Sequence, residues 1–245
     1  MKLTGNTILI TGGSSGYGLA LAKRLALHNK VLICGRDLHK LEEAKRAVPQ
    51  IDFLQCDISQ SAEISRLVSW VNTDHPELNV LVNNAAVVHQ ENFLTDDETL
   101  DKAELEFAVN LLAPIRLSKL LLPVLSGNSS PAIINITTGL VYIPRVKYTY
   151  YNASKAALHS FSQVIRSQLS ASLVKIIEIL LPVVDTPWHQ GNPPKIAISA
   201  DTAVALSLKG LEKGKLEIRV GKVKLLYLLA RMAPAFAFRK LNALE

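Results

Sequence analysis

Thr7-Ile8-Leu9-Ile10-Thr11-Gly12-Gly13-Ser14-Ser15-Gly16-Tyr17-Gly18 begins as a short apolar, β-branched run and passes through four glycines into a segment of helical periodicity. A continuous apolar run of this length reads as a strand covered on both faces, and apolar residues recurring at three- and four-residue steps read as a helix. Glycines placed between the two allow a tight turn, let backbone N–H groups approach an anion, and aim the helix N-terminus at its charge. An ordinary Gly/Ser turn has the same composition; the position between strand and helix is what predicts a cradle for the pyrophosphate of a dinucleotide.

The same alternation continues outward. Further strand-length runs lie at 31–34, 51–54, 78–82, 132–136, 176–181 and 217–220, about seven strands in all. Helical patterns fill the intervals at 18–28, 38–47, 62–72, 101–122 and 154–172, with another at 201–213. A βαβ series requires crossovers and hence a parallel sheet, so the expected fold class is α/β, a single doubly wound sheet of the Rossmann kind over 1–220. Such sheets bind ligands at the carboxyl ends of their strands. No internal repeat or low-complexity segment competes with this reading.

Composition agrees. The chain has 245 residues, 49% hydrophobic and 20% charged, with 12 Gly and two Cys, which excludes a disordered chain, a collagen and a disulfide scaffold. Cys34 and Cys56 each end an apolar run and read as small buried hydrophobes; with no CxxC or Cys/His cluster, no metal site is expected. The net charge of +6 is concentrated: residues 201–245 carry nine Lys/Arg against four Asp/Glu. A neutral body without a basic reading face gives no expectation of nucleic-acid binding. No signal peptide is visible, and the apolar stretch 225–238 is too short to span a bilayer, so the expected compartment is the cytoplasm.

Several motifs in order resemble those of the short-chain dehydrogenase/reductase family. Gly12, Gly16 and Gly18 have the spacing of its glycine loop, Asn83-Asn84-Ala85-Ala86 is similar to its Asn-Asn-Ala-Gly, and Tyr151-Asn152-Ala153-Ser154-Lys155 is a full Tyr-x-Ala-Ser-Lys. Within the family, Leu181-Pro182-Val183-Val184-Asp185-Thr186-Pro187 most resembles the bacterial branch of the D-alanylation-operon oxidoreductase. The resemblance implies an oxidoreductase that moves a hydride between a nicotinamide and a small-molecule carbonyl or secondary alcohol, with Asn110, Thr138, Tyr151 and Lys155 as its catalytic group. Thr138 stands where the family usually has Ser; a threonine hydroxyl donates the same bond with a more restricted rotamer. Asn110 would order a water leading from Lys155 to solvent, and Pro114 predicts a kink nearby. Tyr151 and Lys155 share one helix face, so the ammonium is expected to lower the phenol toward neutrality and make it an acid/base. An exposed Tyr and a solvated Lys are the alternative.

The resemblance further implies cofactor contacts from Gly12, Ser14, Ser15, Gly16, Tyr17 and Gly18, from Asp57 and Ile58, from Asn84, Ala85 and Ala86, from Tyr151 and Lys155, and from Pro182, Val184 and Thr186. Gly35-Arg36 favours NADP over NAD, because a guanidinium suits a 2′-phosphate, although the adjacent Asp37 would suit NAD's 2′-hydroxyl. Residues 188–199 are the segment available for a mobile lid, and Tyr142, Tyr148 and Trp188 are candidate lining residues. The basic, apolar segment 221–245, broken at Pro234, packs on the domain, on a subunit interface or on a membrane surface. A homo-oligomer formed through helices beginning near Asp101 and Tyr151 is expected. A different class of function, a catalytically weak dinucleotide sensor or scaffold, is opposed by the intact Tyr/Lys pair.

Overall fold

The first apolar run becomes strand β1 (Thr7–Thr11), and the glycine loop leads from it into helix α1 (Gly16–Leu25). In the computed structural model, which describes residues 2–243, the alternation then proceeds through β2 (Lys30–Gly35), α2 (Leu38–Ala47), β3 (Ile51–Gln55), α3 (Ser61–Asp74) and β4 (Val80–Asn83). Met1, Leu244 and Glu245, the last two belonging to the basic segment, lie outside the described residues. After β4 come α4 (Thr99–Phe107), a π turn (Ala108–Leu112), α5 (Ala113–Ser126), β5 (Ala132–Thr138), α6 (Thr149–Gln168) and β6 (Lys175–Leu181). The chain closes with β7 (Val184–Asp185), β8 (Ile198–Ser199), α7 (Ala200–Glu212), β9 (Glu217–Arg219), α8 (Val223–Met232) and α9 (Pro234–Asn242).

Seven strands form one parallel sheet in the order β3-β2-β1-β4-β5-β6-β9. The winding reverses between β1 and β4, which opens a crevice at their carboxyl ends where a ligand can enter. Successive side chains along each strand go to opposite faces. Ile8, Ile10, Val31 and Ile33 therefore pack on one side with Leu21, Leu41 and Val204, while Leu9, Leu32, Leu81 and Ile133 join the other layer with Leu67, Leu117 and Leu121. Each such fully buried Leu or Ile contributes about 1.5–3 kcal/mol relative to an exposed one.

The pattern expected at 101–122 is a longer, interrupted helix running from Thr99 to Ser126, apolar and long enough by composition to cross a bilayer. Its stripe of Ala113, Leu117, Leu121 and Leu125 is fully buried in the core, so its hydropathy is that of a core helix. The kink anticipated from Pro114 is instead one widened turn, closed by the Ala113 N–H on the Ala108 carbonyl. Proline cannot donate to the residue four before it, Asn110, and a π turn absorbs that missing bond. Helix α6 starts at Thr149, five residues earlier than its periodicity suggested, and so carries Tyr151 and Lys155 together.

Cys34 and Cys56 are both buried free thiols, and the Cys56 thiol donates to the Glu63 carbonyl (3.5 Å). Residues 188–199, expected as a loop, return to form the short parallel pair β7–β8.

Candidate active site

Two glycines of the loop after β1 take left-handed backbone conformations, Gly12 at φ +64° and Gly16 at φ +53°, which L side chains rarely adopt. Gly18 is required for a different reason: a Cβ there would lie 2.4 Å from the Gly12 carbonyl oxygen and 2.4 Å from the Asn84 amide nitrogen. That amide donates to the carbonyls of Thr11 (2.9 Å) and Gly12 (3.2 Å), and the Thr11 hydroxyl accepts from the Asn84 and Ala85 N–H groups. The glycine loop is thus bolted to the end of β4 by side-chain to backbone bonds, leaving a cleft of about 360 Å³ open beside it.

Of the predicted cofactor residues, Gly12, Ser14, Ser15, Gly16, Tyr17 and Gly18 line this cleft, as do Arg36, Asp57, Ile58, Asn84, Ala85, Ala86 and Thr186. Pro182, Val184, Tyr151 and Lys155 do not; Val184 is held in the core behind it. Tyr17 sends its ring into the core, where its hydroxyl donates to Ser207 on α7 (2.9 Å) and burial pushes the phenol up to about 12.

At the outer end of the cleft Asp37 is among the lining residues. It caps α2, accepting from the Lys40 N–H (3.1 Å) and pairing with the Lys40 ammonium (3.7 Å), which holds it below the usual carboxylate range. Lys40 itself lines the cleft with Arg36. Reading the sequence missed it, though its place four residues after Arg36, one turn on, was a usable signal. Asp57 accepts from the Ser59 N–H (3.0 Å), as a turn-forming Asp does.

At the inner end, Thr138 closes β5; its hydroxyl accepts from the Leu140 N–H (3.2 Å) and stands beside the Tyr151 phenol. One helical turn on, the Lys155 Nζ lies 6.0 Å from the Tyr151 ring centre and donates to the Ile136 carbonyl (3.0 Å). The electrostatics differ from expectation. Burial raises the Tyr151 phenol well above its ordinary value, the negative charge of Glu106 adds to this, and the neighbouring Thr138 hydroxyl opposes it. Burial also lowers Lys155 to about 8, against the pull of Glu178 and Glu106. Desolvation thus outweighs the attraction between the pair, and the protein alone keeps Tyr151 protonated near neutrality.

Asn110, fully buried in the π turn, does not reach Lys155. Its Oδ1 accepts from the Val87 N–H (2.8 Å), and its amide donates to the Val87 carbonyl (2.8 Å) and the Ser154 hydroxyl (3.1 Å). It ties the segment after β4 to the helix that carries Tyr151 and Lys155.

Two buried carboxylates were not anticipated. Glu178, in the middle of β6, accepts from Thr137 and from the His159 Nδ1 (2.8 Å) and raises the His159 ring. Glu106 on α4 accepts from the His89 N–H (2.7 Å) and is paired with the His89 ring (2.9 Å), while burial pushes the carboxyl up. A carboxylate inside the apolar run Ile176-Ile177-Glu178-Ile179 was the one available signal.

Trp188 reaches across the cleft, its Nε1 donating to the Val88 carbonyl (3.3 Å). Tyr148 meets both Trp188 and Tyr151 edge-on, with ring centres 6.2 and 6.3 Å away. Tyr142 turns elsewhere, donating to Glu217 (2.7 Å) and packing on Tyr227, so two of the three predicted lining aromatics stand at the site.

Comparison with known proteins identifies the family and the fold. Residues 6–196 match the profile of the short chain dehydrogenases. A Bacillus subtilis (strain 168) oxidoreductase, the uncharacterized DltE, is 41% identical over 251 residues that cover all of both chains. A fatty acyl-CoA reductase of Acinetobacter baylyi is 31% identical over 191 residues, 76% of this chain and 65% of that one. Among solved structures, a short chain dehydrogenase of Burkholderia cenocepacia in complex with NADP superposes with a TM-score of 0.85 at 24% identity, covering 98% of this chain and 99% of that one. With a glycine-loop cleft on a seven-stranded parallel sheet, a Tyr/Lys pair on α6 and a matching profile over most of its length, the chain belongs to the short-chain dehydrogenase family.

Proposed function

We propose that this enzyme transfers a hydride between NADP(H) and a carbonyl or secondary alcohol, with Tyr151 as the proton donor and acceptor. The observation that carries the reading is the Tyr151 phenol placed beside the Thr138 hydroxyl, with the Lys155 Nζ 6.0 Å from its ring centre, on the sheet whose glycine loop forms the cleft. The cradle suits a dinucleotide because the space a Cβ would take at Gly18 must stay open for the loop to close, and the α1 N-terminus faces the opening with no acidic residue in its first turn. When bound, the cofactor supplies or accepts the hydride.

The chain's own residues handle the proton. In the reductive direction the Tyr151 hydroxyl gives its proton to the substrate oxygen while the adjacent carbon gains the hydride, and Thr138 donates a hydrogen bond that fixes the oxygen beside the phenol. Lys155, buried one turn from the phenol and brought to about 8, is the proton store from which Tyr151 is restored. Oxidation runs the same transfers in reverse. Asn110 holds the walls of the site at fixed spacing.

Preference for NADP(H) rests on Arg36 and Lys40 at the outer end, with Asp37 occupied as a helix cap. Similarity to a fatty acyl-CoA reductase supports an apolar, chain-bearing carbonyl as substrate. Exposed Leu100, Leu120 and Val164 on the outer sides of α4, α5 and α6, with Leu112 in the π turn between the first two, support a homodimer through those helices. Two buried free thiols suit a reducing, cytoplasmic setting.

The test compares wild type with Tyr151→Phe for binding of NADPH and for its oxidation by a panel of ketones and aldehydes. Equal binding with turnover reduced by about 10²–10⁴-fold is expected. Undiminished turnover by the variant refutes the acid/base role, and failure of wild type to bind either dinucleotide refutes the reading of the glycine loop.

A further inference from the structure

The helix pair α8–α9 has no part in hydride transfer, yet it is built onto the wall of the site. Its inner face is fixed. Val223 and Leu226 press so closely on Gly139, the residue after Thr138, that a Cβ there would come within 3.1 and 3.3 Å of them. The Tyr227 ring packs edge-on against Tyr142 and lies under the Arg219 guanidinium at 3.8 Å. At the far end Ala237 is buried, and Asn242 accepts from the Val146 N–H (2.8 Å) and donates to the Pro144 carbonyl (3.2 Å).

The outer face is apolar and uncovered. Leu225, Leu228 and Met232 recur at three- and four-residue steps and so form one stripe, and Phe236 continues it past the bend at Pro234. They are 56%, 53%, 83% and 53% exposed. Lys222, Lys224, Arg231, Arg239 and Lys240 accompany the stripe, and no carboxylate side chain occurs from 221 to 243.

An apolar stripe attended only by cations selects among occupants. Two-fold pairing with a second copy would set five cations against five with no anion between them, an arrangement that like-charge repulsion opposes. A lipid surface with anionic headgroups meets both features at once: its acyl boundary takes the apolar side chains and its phosphates meet the Lys and Arg side chains. We propose that α8–α9 docks this enzyme on an anionic bilayer, with Leu225, Leu228, Met232 and Phe236 entering the interface. The docked face adjoins the substrate side of the site, because Asn242 holds the segment through Val146 that leads to Tyr148 and Tyr151. Val146 is itself 64% exposed there. The chemical class of substrate that this placement serves is an apolar carbonyl or alcohol drawn from the lipid phase.

The experiment is co-sedimentation of the full chain with unilamellar vesicles of phosphatidylcholine, alone or mixed with phosphatidylglycerol. Binding to the mixed vesicles, falling as salt rises, is expected. Leu228→Glu/Met232→Glu and Lys222→Glu/Lys224→Glu, all at exposed positions, are each expected to weaken that binding by about tenfold or more. Both variants should keep wild-type NADPH affinity, thermal midpoint and rate with a water-soluble carbonyl, so that failure of docking is read separately from failure of catalysis. The proposal is overturned if wild type does not bind the mixed vesicles, if it binds both vesicle types alike, or if either variant binds as wild type does. It is equally overturned if sedimentation equilibrium finds a dimer that Leu228→Glu/Met232→Glu dissociates and no vesicle binding.

Discussion

Replacing Arg36 and Lys40 by Ala, singly and together, separates the charge of the outer cleft from its shape. A phosphate oxygen about 4 Å from a cation gains roughly 1 kcal/mol in bulk water and about 4 kcal/mol at the effective dielectric of a protein surface. Net values for hydrogen bonds to charged groups lie at about 1.5–3 kcal/mol. Arg36 has no carboxylate partner among the described ion pairs, so its loss should cost near the lower figure and weaken NADPH binding about 10- to 30-fold. The Lys40 ammonium stands 3.7 Å from the Asp37 carboxylate, which offsets part of its field. Lys40→Ala should therefore cost about 3- to 5-fold, and the double variant about 100-fold if the two act independently. NADH carries no 2′-phosphate, so its affinity should change by no more than about twofold in all three variants. Fluorescence titration with both dinucleotides at low and high salt measures this, and the NADPH preference itself should shrink as salt rises. Equal losses for NADPH and NADH, or no loss for either, would refute the assignment of these cations to a 2′-phosphate.

Other expectations follow from the same geometry. Gly18→Ala places a methyl 2.4 Å from the Gly12 carbonyl and the Asn84 amide, and should lower stability by about 1–3 kcal/mol and abolish measurable dinucleotide binding; a thermal melt and a titration check both. Thr138→Ser keeps the hydroxyl against Tyr151 and should retain turnover, while Thr138→Ala should lose about 10-fold or more; equal rates for the two would remove Thr138 from the reaction. Lys155 is lowered to about 8 from 10.5, so between those values the unfolded chain binds more protons than the folded one and stability rises with pH. Relative to Lys155→Met, wild type should gain about 2–3 kcal/mol from about pH 7 to about pH 10, read by chemical denaturation; a constant difference between the two proteins would show that the buried amine is not lowered.

How far the sequence spoke depended on the range of the interaction. Most of the seven strands were legible because they are short apolar, β-branched runs, and the glycine loop because Gly12 and Gly16 take left-handed conformations between a strand and a helix. Arg36 could be placed from the end of the second strand, and Thr138 and the Tyr151/Lys155 pair from their resemblance to the family's motifs. What escaped depends on partners far along the chain. The side chain of Asn110 is held by Val87 and Ser154, and that of Tyr142 by Glu217, a contact 75 residues away. Glu178 looked like an interruption in a strand, because its partners Thr137 and His159 sit on other elements. The sense of the Tyr151 and Lys155 shifts was missed for a related reason: spacing shows which groups are neighbours, while desolvation depends on everything packed around them.

The hydrogen bond between Tyr17 and Ser207 joins residues 190 positions apart. During synthesis, the helix that begins at the glycine loop emerges first but lacks this anchor until α7 has left the ribosome. The sheet imposes the same delay, since its edge strand β9 begins at Glu217. A nascent chain stalled before residue 200 would therefore carry a glycine loop already bolted to β4 on a helix still without its anchor, so that the last support behind the loop arrives late in the birth of the molecule.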